Sequence, residues 1–368
     1  MKAIHLCIAA FILVTLSGQC SAALKPGEEL IRDPITGNYT AHFWRETAKG
    51  GRLVKGAFAT ATKIEPVVRS KMMLTNNWNV RYAYKLSNGS NAKQPILRWD
   101  MFGLPANTAI ANSDPVRGSD NAILIEFFET SLNVPNSSWS GSGARIPEEL
   151  NIGWLYDSWS ADTRSVDTTL GIKPGESLGG FGFASTDLPG IWVAKLFGNT
   201  KYHHFSFSGE SPDSEDTDLA DQMDEIEAND FVPRNVAAPL ISVPTPFDSA
   251  IVLDNLRAHV ATWPSKQLTD STFAAQLDRY LLSAAEAYRH NQPKAGKEHI
   301  ETLRDMLKRV HKDLEEDDEE HDGKPSEQPN DHYPAAQIFP INRLAARVLD
   351  FDLKYVQQRM KVEDKSKR

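Results

Sequence analysis

The apolar residues of this chain change their period near Asp248, and that change constrains its fold more than any other feature. Upstream the period is two. Trp78, Val80, Tyr82, Tyr84 and Leu86 share one face, while Asn79, Arg81 and Lys85 occupy the other. This alternation is that of a half-buried strand. Ser87-Asn88-Gly89-Ser90 ends it with residues that accept turn conformations. The same pattern predicts strands at Tyr39–Trp44, Ile64–Ser70, Ile96–Phe102, Ala122–Phe128, Ile152–Ser158, Ser177–Phe183, Ile191–Phe197 and Tyr202–Phe207, with Val236–Val243 as a last one. Gly, Pro, Asn and Ser fill the gaps, as in Lys173-Pro174-Gly175-Glu176. Many short strands without intervening amphipathic helices predict an antiparallel β-sandwich, or a barrel, over residues 24–243. We favour the sandwich.

Downstream the period is helical. Val252, Leu256, Val260 and Trp263 recur before Pro264, and Phe273, Leu277, Tyr280, Leu281, Ala284 and Tyr288 form a second stripe that Thr269 or Asp270 is placed to cap. Pro293 opens a third helix carrying Ile300, Leu303, Leu307, Val310 and Leu314, and Pro340 opens a fourth carrying Ile341, Leu344, Val348 and Tyr355. Stripes of this width face a common core, so residues 249–362 are expected to form a small antiparallel helical bundle. The short Asn291-Gln292-Pro293 connection pairs the second and third helices as a hairpin. Pro244 and Pro246 mark residues 244–248 as the linker between two domains.

The hairpin, with Ala284-Ala285-Glu286-Ala287-Tyr288-Arg289-His290-Asn291 before its turn and Ala295-Gly296-Lys297-Glu298-His299-Ile300 after it, is similar to the FIMAH helical domain of exported and cell-surface bacterial proteins. Where that domain carries an aromatic-isoleucine pair, this chain has Met306-Leu307. The resemblance implies a helical module on a bacterial surface protein and implies no catalytic role. The β-rich part, notably Pro174-Gly175-Glu176-Ser177-Leu178-Gly179-Gly180-Phe181-Gly182-Phe183, looks like accessory domains of such proteins.

The first residues carry an export pattern. Lys2 precedes an apolar run from Ala3 to Leu16, broken only by His5 and Thr15, and Cys20-Ser21-Ala22 offers a cleavage site. Residues 1–22 therefore read as a cleavable secretory signal peptide. The run is short of the ~20 residues of a membrane span, and Gln19 is a poor neighbour for a lipid-bearing Cys20. Cleavage after Ala22 removes Cys7 and Cys20, leaving no thiol for a disulfide, a nucleophile or a metal. No second long apolar run follows, which predicts no transmembrane segment after signal removal.

The formal net charge of −9 is concentrated in two places. Glu210–Asp230 holds ten carboxylates and Glu315–Asp322 seven, neither with any Lys or Arg, and the remainder is net positive. Blocks of like charge normally form solvated loops, so 210–230 and 315–334 are read as acidic loops. Leu219, Met223 and Ile226 keep a short amphipathic helix in the first as the alternative. Such acidic surfaces argue against a nucleic-acid partner.

No catalytic constellation is predicted. Ser140-Gly141-Ser142-Gly143 lacks the order of a nucleophile elbow and reads as a loop. Asp100, Glu126 and Asp157 lie on or near predicted strands, as carboxylates do in any sandwich of this size. His203-His204 would point to opposite faces of a strand. Asp213, Asp216 and Asp218 lack the ordered spacing of a calcium loop. Neither a metal nor a cofactor is expected. The aromatics point instead to binding. Trp139 in Asn136-Ser137-Ser138-Trp139-Ser140-Gly141, and Trp159 beyond a predicted strand, are candidate ligand contacts, since exposed indoles stack on sugars or anchor proteins. For Trp139 a folded-back core position is equally open, and Trp154 is expected in the core. The sequence thus predicts an exported, non-catalytic protein binding a glycan or a surface protein. The alternatives are a polysaccharide-active enzyme or a structural component of a surface assembly.

Overall fold

The computed structural model describes residues 24–45, 51–105, 107–110, 116–117, 126–127, 132–136, 138–146, 149–156, 171–199, 218–314 and 339–366. Among them the strands form three antiparallel sheets and the α-helices number five. The expected signal segment (residues 1–22), the predicted strand Tyr202–Phe207, Glu210–Thr217 and the second acidic block lie outside the described residues. None of the described helices is long and apolar enough to cross a membrane. The chain divides into two compact units, Met1–Thr60 with Thr200–Asn229, and Ala61–Asn199 with Asp230–Arg368.

In the first unit, β1 (Glu29–Arg32), β2 (Tyr39–Arg45) and β3 (Arg52–Phe58) form a meander. Tyr39, Ala41 and Phe43 alternate onto one face, and Tyr39 stacks on Phe58 with ring centroids 5.0 Å apart. The helix α1 (Asp218–Asn229) buries Leu219 and Met223 in this same core, and Ile226 packs beside them. The expectation of a solvated acidic loop is therefore corrected for its second half. Apolar residues at i, i+4 and i+7 line one face of a helix, and Asp221 and Glu225 stay exposed on the other. Carboxylates on that face keep their water and cost little.

In the second unit, a seven-stranded sheet has the order β13-β12-β6-β10-β9-β8-β7 and a three-stranded sheet the order β11-β5-β4. The strands are β4 (Pro66–Leu74), β5 (Val80–Asn88), β6 (Ile96–Pro105), β7 (Val116–Arg117), β8 (Glu126–Phe127), β9 (Trp139–Ile146), β10 (Glu149–Tyr156), β11 (Ser177–Ser185), β12 (Leu188–Gly198) and β13 (Val232–Ile241). Aromatic rings fill the space between inward-facing residues. Trp99 and Trp154 stack at 4.3 Å, Tyr84 meets Trp99 edge-on at 5.0 Å, and Tyr82 stacks on Phe183 at 5.1 Å. Buried hydroxyls must find acceptors. Tyr84 donates to the carbonyl of Ala237 at 2.7 Å and Tyr82 to that of Asp187 at 2.9 Å.

Four helices complete this unit: α2 (Ser249–Ala261), α3 (Ser271–Arg289), α4 (Pro293–Val310) and α5 (Arg343–Ser366). Asp248 caps α2, Asp270 caps α3 and Asn342 caps α5, each carboxylate or amide oxygen accepting a first-turn N–H within 2.7–2.8 Å. The α3–α4 hairpin is tight because Gly296 lies against Tyr288; a Cβ there would sit 2.8 Å from the ring.

The compact units divide the chain differently from the period change. Residues 244–248 do not separate two bodies, because one buried cluster runs from Val80 and Trp99 through Val252 and Leu256 to Leu353. α5 packs on β12 and α2 on β13. The helical stripes are broad enough to face both each other and the sheets, which a count of periods does not reveal. Trp78 also departs from its predicted strand. Its φ of 67° places it in the Thr75–Asn79 turn, where its indole meets Tyr355 edge-on and the Arg359 guanidinium lies 4.7 Å from its centroid.

Candidate functional site

A half-open pocket of about 220 Å³ lies where the approach to β9 meets the approach to β11. The side chain of Asn136 accepts the Ser138 N–H at 2.9 Å, and its carbonyl accepts the Trp139 N–H at 3.2 Å. This turn delivers the indole into the pocket wall. Opposite, Gly175 adopts φ +82° in the Lys173–Glu176 turn, and the Glu176 carboxylate accepts the Lys173 N–H at 3.1 Å. Gly171 closes the back at φ +76°; a Cβ there would lie 2.3 Å from the Ile96 carbonyl oxygen. Ser177 shares a hydrogen bond with Ser87 at 2.6 Å.

The pocket thus has an apolar floor of Trp139, Ile172 and Leu178 and a polar mouth of Asn136, Ser138, Glu176 and Ser177. It is smaller than the ~300–1,000 Å³ that encloses a drug-sized ligand, so it accommodates one ring or one side chain. Its lining mixes apolar side chains with hydroxyl, amide and carboxylate groups that pair with hydroxyls. Glu176 is the one carboxylate among the described lining residues, whereas glycoside hydrolysis uses a flanking pair.

Trp139, predicted as an exposed platform or a core residue, is only 3% exposed. Its ring packs edge-on against Phe181 at 4.9 Å. It therefore contributes an edge to the pocket rather than an open face, because the turn at Asn136 swings it towards the Phe181 side of the core. Trp154 is buried as expected and donates its indole N–H to the Asn133 carbonyl at 3.0 Å. Trp159, Asp157, the His203-His204 pair, Asp213 and Asp216 lie outside the described residues. Of the remaining strand carboxylates, Asp100 is buried and bonded to the Arg98 Nε at 2.5 Å. Among the described residues no group of three or more His, Cys, Asp or Glu side chains is placed to hold a metal.

Sequence reasoning read Asn136, Glu176 and Ser177 only as turn or strand residues. The sole hint was that Asn136–Ser138 and Lys173–Glu176 are both turn-forming segments, the second directly before a predicted strand. Nothing local indicates that β9 and β11 bring them to one pocket.

His259 and Asp352 of this unit are shifted by burial. Burial lowers the pKa of His259 on α2. Burial, and secondarily the charge of Asp350, raises that of Asp352 on α5, whose Oδ1 has no hydrogen-bond partner. Asp350 itself is held by Arg304 at 2.8 Å and Lys354 at 3.2 Å. Both Asp352 and His259 lie among helix–sheet packing residues and belong to the scaffold.

Comparisons with protein-family models, curated proteins and solved structures found no match to this chain.

Proposed function

We propose that this chain is an exported, non-catalytic binding protein that recognises a glycan through one sugar unit seated in the Trp139–Glu176 pocket. The observation that carries this reading is the pairing of an apolar floor with a rim of hydroxyl, amide and carboxylate groups in a cavity sized for one ring. A carboxylate accepts hydrogen bonds from sugar hydroxyls with the extra strength of a charged acceptor. The apolar C–H face of a sugar ring suits the aliphatic Leu178 and Ile172, with the edge of Trp139 beside them. The export pattern at residues 1–22 supports an encounter with glycans outside the cytoplasm. The aromatic contacts of Tyr84 and Phe183 with Trp99 and Trp154 support a sandwich of the seven-stranded sheet and the β11-β5-β4 sheet, a scaffold on which loop-borne sugar sites are readily built. The α3–α4 hairpin, similar to the FIMAH module, supports a place among bacterial surface proteins.

A glycan array probed with residues 24–368 tests this proposal. Retention of a defined set of neutral oligosaccharides, weakened by Glu176→Ala, is expected. Equal retention by the variant, or none by either protein, contradicts it.

A further inference from the structure

The opposite, outward face of the seven-stranded sheet carries a closed ring of cations and aromatics. The Lys195 ammonium lies 4.5 Å from the centroid of Phe231 and 5.3 Å from that of Phe102. The Arg98 guanidinium lies 5.7 Å from Phe102 and 4.8 Å from Phe197, and Phe197 and Phe231 complete the ring at 6.0 Å. These residues come from β6, β12 and the residue before β13, and the register places Lys195 directly opposite Asp100. Asp100 does not cancel both charges. It is 4% exposed, is bonded to Arg98, and lies flat on the sheet because Gly153 leaves room; a Cβ at that glycine would sit 2.1 Å from its Oδ1. Among the described residues Lys195 has no carboxylate in ion-pair distance, and Asp100, held by Arg98, does not neutralise it.

This face reaches solvent. Arg98 keeps 28% of its side chain exposed, and its neighbours on the same face, Val193 and Leu155, are 44% and 36% exposed. Aromatic faces attract cations, and here they hold two long flexible side chains in place before any ligand arrives, which lowers the ordering cost of binding. A cation fixed beside aromatic faces matches a ligand that joins an anionic group to a ring with an apolar C–H face.

We propose that this face is a second binding site selective for acidic sugars, with the carboxylate of a uronate unit paired to Lys195 and its ring lying over Phe102. The proposal rests on the glycan reading for the kind of ligand and names a different surface from the pocket. A charge-assisted contact of this kind is worth about tenfold or more in affinity.

Calorimetric titration of residues 24–368 with a galacturonate trimer, its methyl ester and inorganic sulfate tests it. The trimer should bind and the ester and sulfate should bind at least tenfold more weakly. Lys195→Met, which keeps the aliphatic stem, should remove the preference for the trimer over its ester, and Lys195→Arg should restore it. Circular dichroism of the Lys195 variants confirms that they fold. Equal affinity for trimer and ester, a preference surviving Lys195→Met, or sulfate binding as tightly as the trimer overturns the proposal. Loss of neutral-sugar binding with Glu176→Ala bears only on the pocket.

Discussion

The Nε2 of His259 on α2 accepts the backbone N–H of Ile191 on β12 at 3.2 Å. The ring is pressed so close to the strand that a Cβ on Gly190 would lie 2.4 Å from that nitrogen. A protonated imidazole has no lone pair to accept with, so this seam between helix and sheet requires the neutral ring. Burial lowers the folded pKa, whereas an unfolded histidine titrates near ~6.5. The unfolded chain therefore binds the proton first. The stabilisation is complete above the unfolded value and is lost as pH falls through the folded one. Urea unfolding from pH 8 to 5 should show stability dropping below pH ~6.5, with a smaller drop in His259→Gln. His259→Ala should cost about 1–3 kcal/mol at pH 8 by stranding the Ile191 N–H. A pH profile shared by wild type and His259→Gln would contradict this account of the seam.

Asp352 has the opposite sign. Its folded pKa is raised, chiefly by burial, so its contribution is complete below the unfolded value of ~3.9 and is lost as pH rises through the folded value. Asp352→Asn removes the ionisation and should raise stability at pH 8 by about 1–3 kcal/mol. Denaturant midpoints across pH 4–9 check this; a destabilised variant at pH 8 would show that the carboxylate is needed.

The shared core predicts how the chain responds to cutting. α2 and α5 bury Val252, Leu256 and Leu353 in the same cluster as Trp99 and Tyr84. Residues 248–368 expressed alone would expose that surface. They should give a broad, non-cooperative melt by circular dichroism and associate in sedimentation. A sharp, monomeric transition would restore the boundary at 244–248.

Trp139→Ala should destabilise the protein by about 3–5 kcal/mol, the usual cost of removing a buried aromatic ring, since the indole is 3% exposed. Glu176→Ala, in a surface turn, should stay within about 1 kcal/mol of wild type. Thermal melts of the two variants separate the wall of the pocket from its rim.

Local chemistry was the legible part of this chain. The alternation of Val80, Tyr82, Tyr84 and Leu86 identifies β5, and Asp270 and Pro293 mark two helix starts, because strand pleat and cap are written within a few residues. The role of α1 was harder to read, since ten carboxylates outweigh Leu219 and Met223 in any compositional count while those two residues decide which face is buried. The union of helices and sheets in one core was not readable at all; a stripe reports that a face is covered, not by what. For the same reason the pocket joins residues about 40 positions apart, and the cation–aromatic ring draws on β6, β12 and Phe231. These are products of sheet order, which no motif in the chain records.

Calorimetric titration of residues 24–368 with the best neutral oligosaccharide, beside Glu176→Ala and a pocket-filling Ser177→Trp variant, tests the central claim most directly. The account predicts saturable binding with one sugar chain per protein, weakened about tenfold by Glu176→Ala and abolished by Ser177→Trp, with both variants folded by circular dichroism. Saturable binding that is unchanged when the pocket is filled, or no binding of any sugar by the wild-type protein, would contradict it.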